Sequence, residues 1–133
     1  MPMIRIEALP QQKSQTEIFA VIQRVSELVA KEMSIPAHAV RCIWHEVDPM
    51  FYAQGGHTGV QYLQPSTSHG PLVTLALFAG RDTLFIEKLL HLIAETLVCA
   101  LAIDPKNICV MCQEYQFHQV LDHGQIFTPF RSQ

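Results

Sequence analysis

The sequence predicts an α/β fold of the α+β type: a duplicated βαβ unit with one four-stranded mixed sheet, two helices on one face and short extra strands. Three observations carry this. Four strand-like runs occur, PMIRIEAL, VRCIW, PLVTLALF and NICVMCQEY. Two long stretches show the apolar spacing of an amphipathic helix. The order strand, turn, helix, strand then appears twice, at an offset of about 69 residues, which places Pro71 on Pro2 and Glu114 on Glu46.

In the first run, Pro2, Ile4, Ile6 and Ala8 fall on one face and Met3, Arg5, Glu7 and Leu9 on the other. After the turn PQQK, Ser14 and Glu17 form an S-x-x-E capping box that predicts a helix from about Ser14 to Met33. Its expected buried stripe is Ile18, Ile22, Val25 and Val29, widened by Phe19 and Leu28. SIP stops it, and Val40–Trp44 reads as the next strand. In the second half, AGRD is a turn with Asp82 as candidate N-cap. The helix from about Thr83 to Leu101 carries Phe85, Leu89, Ile93 and Leu97 on one face, and NICVMCQEY closes the unit. Right-handed crossovers make each strand pair parallel and put both helices on one sheet face. The other face is left for a partner subunit.

The expected organisation is a single domain, 1–133, with repeats at about 2–56 and 71–127 joined by a loop over 57–70. Within that connection GVQYL reads as an edge strand and QPSTSHG as loose chain. The tail HQVLDHGQIFTPF is expected to form a short strand or to pack onto a neighbour.

Composition narrows the function classes. Hydrophobic residues make up 49% and charged residues 16% of the chain, apolar enough to expect surface buried between subunits. Net charge is −3 and the basic residues are scattered, so no nucleic-acid partner is expected. No apolar stretch is long enough to span a bilayer, and no signal-peptide layout is present. The reading is cytoplasmic. Cys109 and Cys112 form a CxxC inside a strand, where a spacing of three sends side chains to opposite faces, so neither a disulfide nor chelation is expected. His118, Asp122 and His123 match no standard zinc spacing, and His45 and Glu46 diverge on a strand. No metal and no cofactor are expected.

The N-terminus raises a chemical possibility. With Met1 removed, Pro2 is a secondary amine at the head of a strand, able to act as a base. The duplicated βαβ frame, Met1-Pro2, Val40-Arg41, Phe51-Tyr52, Gly55-Gly56 and Gly80-Arg81 together resemble the tautomerase superfamily, the fold family of 4-oxalocrotonate tautomerase and macrophage migration inhibitory factor. FYAQGG and LDHGQIF resemble a small bacterial family within it. The resemblance covers nearly the whole chain. It implies loss of Met1, catalysis by Pro2 and Arg81, a substrate carboxylate or carbonyl held by Arg41, and an apolar wall from Phe51. It also implies a homotrimer acting on a small carboxylate substrate. Tyr52 is expected in the wall or in interface packing, and Arg5 in a pocket or interface.

The chemistry suits these residue types. A free α-amine has a pKa of about 7.7–8.0; a prolyl amine is more basic, and burial near guanidinium groups lowers it towards neutrality. An arginine can hold a carboxylate through two parallel hydrogen bonds and stabilise a developing enolate.

The departures from the pattern also matter. Pro10-Gln11-Gln12 stands where the first half would carry Gly-Arg, with Lys13 as a possible stand-in. Cys109 replaces the second-half arginine, and Pro71 is an internal amide. At most one proline amine per chain is available. The sequence supports a cofactor-independent tautomerase or isomerase acting on a 2-oxo or 2-hydroxy-dienoate acid. Left open are hydration or decarboxylation of small acids, and an inactive homotrimer that keeps only the scaffold in a binding or structural role.

Overall fold

A computed structural model describes residues 2–59 and 69–128. Met1, most of the expected GVQYL strand and most of QPSTSHG lie outside the described residues. The main elements are β1 (Met3–Ala8), α1 (Gln15–Met33), β2 (Arg41–Glu46), β3 (Ala53–Gln54), β4 (His57–Thr58), β5 (Leu72–Phe78), α2 (Thr83–Leu101), β6 (Cys109–Tyr115), β7 (Leu121–Asp122) and β8 (Gln125–Ile126). The four long strands form one sheet in the order β2-β1-β5-β6. β1 pairs with β2 and β5 with β6 in parallel, while β1 and β5 run antiparallel.

The repeat is more regular than the sequence offset implied. From α1 onward every element recurs 68 residues later: Gln15 on Thr83, Arg41 on Cys109, Ala53 on Leu121. The first strands stay 69 apart, because the turn PQQK holds one residue more than AGR. The short hairpins repeat as well, so each unit is βαβ followed by a 3-10 turn and a two-residue-stranded hairpin. β4 falls inside the loop expected over 57–70, and its pairing with β3 extends the first unit by a hairpin.

Both helices are explained by their ends and stripes. In α1 the Ser14 side chain accepts the Glu17 N–H and the Glu17 carboxylate accepts the Ser14 N–H, each at 3.1 Å, which completes the capping box. Asp82 is at the N-cap of α2 without a side-chain cap bond. The buried stripe of α1 is Val21, Val25, Val29, Ala30 and Met33. It is rotated from the expected one: Ile18 and Ile22 pack at its border, and Phe19 is 62% exposed. In α2 the stripe is Leu89, Ile93, Leu97 and Leu101. These rows close over Ile4, Ile6, Val73, Leu75 and Leu77 on the sheet. Each such side chain contributes roughly 1.5–3 kcal/mol by leaving water. Lys88 and Glu32 pair between the helices at 2.6 Å.

The other sheet face is open in a single chain. Register places Arg41, Met3, Ala76 and Gln113 in one row across it, Ile43, Arg5, Thr74 and Met111 in the next, and His45, Glu7, Leu72 and Cys109 in the third. Ile43, Leu72 and Met111 are all substantially exposed there.

Candidate functional site

The antiparallel pairing of β1 and β5 gives the sheet two pseudo-equivalent ends. At the first, Pro2 is buried and its carbonyl accepts the Arg41 N–H at 3.1 Å. Met3 pairs with Arg41 on one side and with Ala76 on the other, so β5 finishes at this end. Its exit, Ala79-Gly80-Arg81, is a tight turn in which Gly80 has φ 108°, a conformation costly for a residue with a Cβ. The Ala79 N–H donates to the Tyr115 carbonyl at 2.8 Å. Arg81 immediately precedes the N-cap of α2, and its guanidinium lies 5.6 Å from the centre of the Phe85 ring. Pro2, Arg41 and Arg81 therefore share one end of the sheet. Arg5 stands on the open face, two residues along β1 from Met3.

Phe51 and Tyr52 belong to the opposite end. They follow β2, whose last residue pairs with Ala8, and the length of β1 puts them roughly 20 Å from Pro2. Phe51 is 85% exposed. The Tyr52 hydroxyl donates to Gln54 Oε1 at 2.7 Å, and its ring meets His69 edge-on at 5.0 Å. A site that holds Phe51 together with Pro2 needs two chains.

At that second end the repeat carries different chemistry. Pro71 is buried, its nitrogen is an amide, and its carbonyl accepts the Cys109 N–H at 3.2 Å. Lys13 immediately precedes the N-cap of α1, as Arg81 precedes that of α2. It reaches Glu17 at 3.9 Å, the same i,i+4 step that brings Arg81 to Phe85. His69, which the sequence reading did not single out, is 5% exposed. Its Nε2 accepts the Leu9 N–H at 3.4 Å, and burial pushes its pKa below the ordinary 6.5.

The first end also contains aromatic residues that sequence reasoning missed. Phe78 stacks on Phe117 at 4.7 Å between centroids and meets Phe127 at 4.7 Å with a 44° tilt. The signal was present in the tail, where LDHGQIF repeats the hairpin of the first half and returns Phe127 to the sheet end.

All four cysteines are free. Cys109 is on the open face and exposed; Cys112 points to the helix side, where burial raises its pKa. Burial likewise pushes the Cys42 thiol up to about 11, against a smaller opposing hydrogen bond from Ser26. Among the described residues no group of three or more His, Cys, Asp or Glu side chains stands close enough to hold a metal ion. No helix there is long and apolar enough to cross a membrane. A groove of about 450 Å³ lies between the helices, lined by Arg24, Leu28 and Cys99 among others. A second, of about 340 Å³, runs along β6 and α2 beside His91 and Pro105. Neither is lined by Pro2, Arg41 or Arg81.

No family model matches the chain, and no curated protein matches it. Solved structures do. Native fused 4-OT superposes with a TM-score of 0.83 at 18% identity, over 94% of this chain and 95% of that one. A fused 4-OT wild-type symmetric trimer gives 0.79 at 18%, covering 95% of both chains. A member of the cis-3-chloroacrylic acid dehalogenase family gives 0.79 at 16%, over 96% and 84%. The chain thus has the fused, duplicated βαβ tautomerase fold that the sequence resemblance implied.

Proposed function

We propose that this chain is a cofactor-independent tautomerase or isomerase that moves a proton within a small 2-oxo or 2-hydroxy-dienoate carboxylate, as a homotrimer. One observation carries the reading: a buried proline heads β1 at the sheet end that also gathers Arg41 and the Gly80-Arg81 turn. After removal of Met1, Pro2 presents a secondary amine there. The amine takes a proton from the 2-hydroxyl oxygen of a dienol substrate, or from the carbon beside a 2-oxo group, and returns it to a second position. Arg81 and Arg41 hold the carboxylate and stabilise the enolate as its charge develops. Phe51 supplies an apolar wall from a neighbouring subunit, because its own Pro2 is at the far end of the sheet.

The structural neighbours support the type of chemistry. One similar structure, Pt0534, is inactivated by 2-oxo-3-pentynoate, a 2-oxo acid with an electrophilic alkyne that an amine can attack. Others are fused 4-OT trimers, and the exposed apolar sheet face of this chain suits the same assembly.

The test is direct. Intact mass of cell-derived protein is expected to lack Met1, and ketonisation of a 2-hydroxy-dienoate to be measurable. Pro2→Ala is expected to cost about 10²–10⁴ in rate and Arg81→Ala about 10²–10³. Retained Met1, or a rate untouched by both substitutions, overturns the reading. The second end favours an alternative, an inactive tautomerase-fold homotrimer in a binding or structural role, because Pro71, Cys109 and Lys13 have already replaced the reactive set there. Absence of turnover in a Met1-free trimer across such acids favours that alternative.

A further inference from the structure

We propose that the main-chain carbonyl of Ala39 is the positioning group for the Pro2 nitrogen. It accepts the amine N–H, fixes which side of the nitrogen carries the lone pair, and bonds the ammonium once a proton has been taken. This rests on the reading of Pro2 as the base, and it adds a main-chain partner from the turn that leads into β2.

The phase of the β1–β2 ladder gives the placement. The Arg41 N–H donates to the Pro2 carbonyl at 3.1 Å, and Met3 is the residue paired with Arg41. In a parallel ladder each bonding residue serves the residues on both sides of its partner, and the next bonding residue is two positions away. The phase is kept to the far end, where the Val47 N–H donates to the Ala8 carbonyl at 2.7 Å. Two positions back from Arg41 is Ala39, whose carbonyl holds the acceptor slot for the N–H of residue 2. The Ala39 N–H is taken by its own 3-10 turn, Ala37–Ala39, and donates to the Pro36 carbonyl at 3.0 Å.

Inside a chain a proline leaves such a slot empty, because it has no N–H. A proline at the chain start does not: its secondary amine carries one N–H when neutral and two as the ammonium. The second repeat places the same group. The Cys109 N–H donates to the Pro71 carbonyl at 3.2 Å, so the same phase sets the Asn107 carbonyl towards the Pro71 nitrogen. The residue bonded to that nitrogen is Gly70, and a Cβ built on it would overlap the Asn107 carbonyl oxygen. The turn Pro105–Asn107 thus brings its last carbonyl to the head of β5, and Ala37–Ala39 is its counterpart 68 residues earlier.

The consequence is chemical. A neutral amine nitrogen is pyramidal and inverts, exchanging its N–H with its lone pair. An acceptor on the β2 side holds the N–H there and leaves the lone pair directed away from β2, for the substrate proton. After transfer, one N–H of the ammonium stays on Ala39 and the other is the proton to be returned. A charged donor bonds more strongly than a neutral one, so the carbonyl favours the ammonium and offsets the arginines, which disfavour it. The other titratable groups at this end are His38 and Arg41 before and at the head of β2, Arg81 and Asp82 in the turn after β5, Glu114 and Tyr115 at the end of β6, and His118 beyond it.

The experiment uses the Met1-free trimer, labelled either with ¹⁵N-proline or with ¹³C-carbonyl alanine and ¹⁵N-valine. Only Ala20-Val21 and Ala39-Val40 join those two residue types in that order, so NMR reads the Ala39 carbonyl with a carbonyl of α1 as internal control. The Ala39 signal is expected to titrate at the midpoint of the Pro2 nitrogen, in the native chain and in His38→Gln, while Ala20 stays flat. An ester link between residues 39 and 40, made with α-hydroxyvaline in place of Val40, weakens the carbonyl as an acceptor. It is expected to lower both the Pro2 midpoint and the acidic limb of kcat/KM against pH by about half a pH unit; a merely loosened turn would wet the amine and raise both. An Ala39 carbonyl that stays flat while Pro2 titrates, or an ester midpoint that holds or rises, overturns the inference and leaves the base reading standing. Should the ester chain fail to assemble, the carbonyl titration decides alone. Retained Met1 removes the amine and sinks both readings together. A carbonyl that titrates with Pro2 in a trimer without turnover upholds the inference and isolates the failure in the proposed reaction.

Discussion

His69 and Lys13 illustrate how single positions diverge between two copies of one motif. His69 is buried against Tyr52 and accepts a main-chain hydrogen bond from Leu9, an arrangement that needs a neutral Nε2. Burial lowers its pKa in the folded chain. The unfolded chain therefore takes up the proton first as pH falls, so this contribution to stability is complete above about pH 6.5 and lost below it. The thermal unfolding midpoint is expected to drop between about pH 7 and pH 5, and His69→Gln is expected to flatten that drop; an unchanged slope refutes it. Lys13 was legible as a stand-in for an arginine, since it sits one residue before a helix N-cap as Arg81 does. His69 was not legible, because a histidine in a connecting segment carries no periodicity that reports burial.

At the level of elements, caps and stripes were largely readable. Ser14 and Glu17 announced α1, and the apolar spacing of α2 named its buried face. The stripe of α1 was less so: Ile18, Phe19 and Ile22 compete with Val21 and Val25 for the core, and only docking on the sheet decided the rotation. Both helices end on a left-handed residue that is not glycine, Ser34 at φ 56° and Ala102 at φ 53°, so even the stops repeat. Glycine is obligatory at Gly70, just ahead of Pro71. A Cβ there would run into the Asn107 main chain and stand 2.7 Å from the Ile108 nitrogen. Both of these are backbone atoms that cannot swing aside. Gly70→Ala is therefore expected to destabilise the fold by more than the roughly 0.5–1 kcal/mol that a compatible glycine-to-alanine change would gain, as read from a chemical denaturation midpoint. A neutral or stabilising result would show that the Asn107 turn yields.

For the whole molecule, the unmatched sheet face is the dominant feature. Ile43, Leu72 and Met111 are 39%, 40% and 45% exposed in one chain, next to Thr74 and Ala76. Burial of this face between subunits is the proposed role, and a charge placed in it would have to be desolvated. Met111→Lys is expected to convert a trimer to smaller species by native mass spectrometry while far-ultraviolet dichroism keeps its helical signal. A trimer that tolerates the lysine would move the interface elsewhere.

The sequence alone determined the duplicated βαβ frame, the helix ends, the equivalence of Pro2 and Pro71 in the repeat and the lack of a free proline amine in the second half, because periodicity, capping and repeat offset are local properties of the chain. Which residues share a site is not local. The antiparallel pairing of β1 with β5 sends Arg81 to the Pro2 end, the parallel pairing of β1 with β2 sends Phe51 to the other, and the return of the tail brings Phe117 and Phe127 onto Phe78. Strand direction and the long-range closure of the hairpins made those choices, and no window of the sequence contains them.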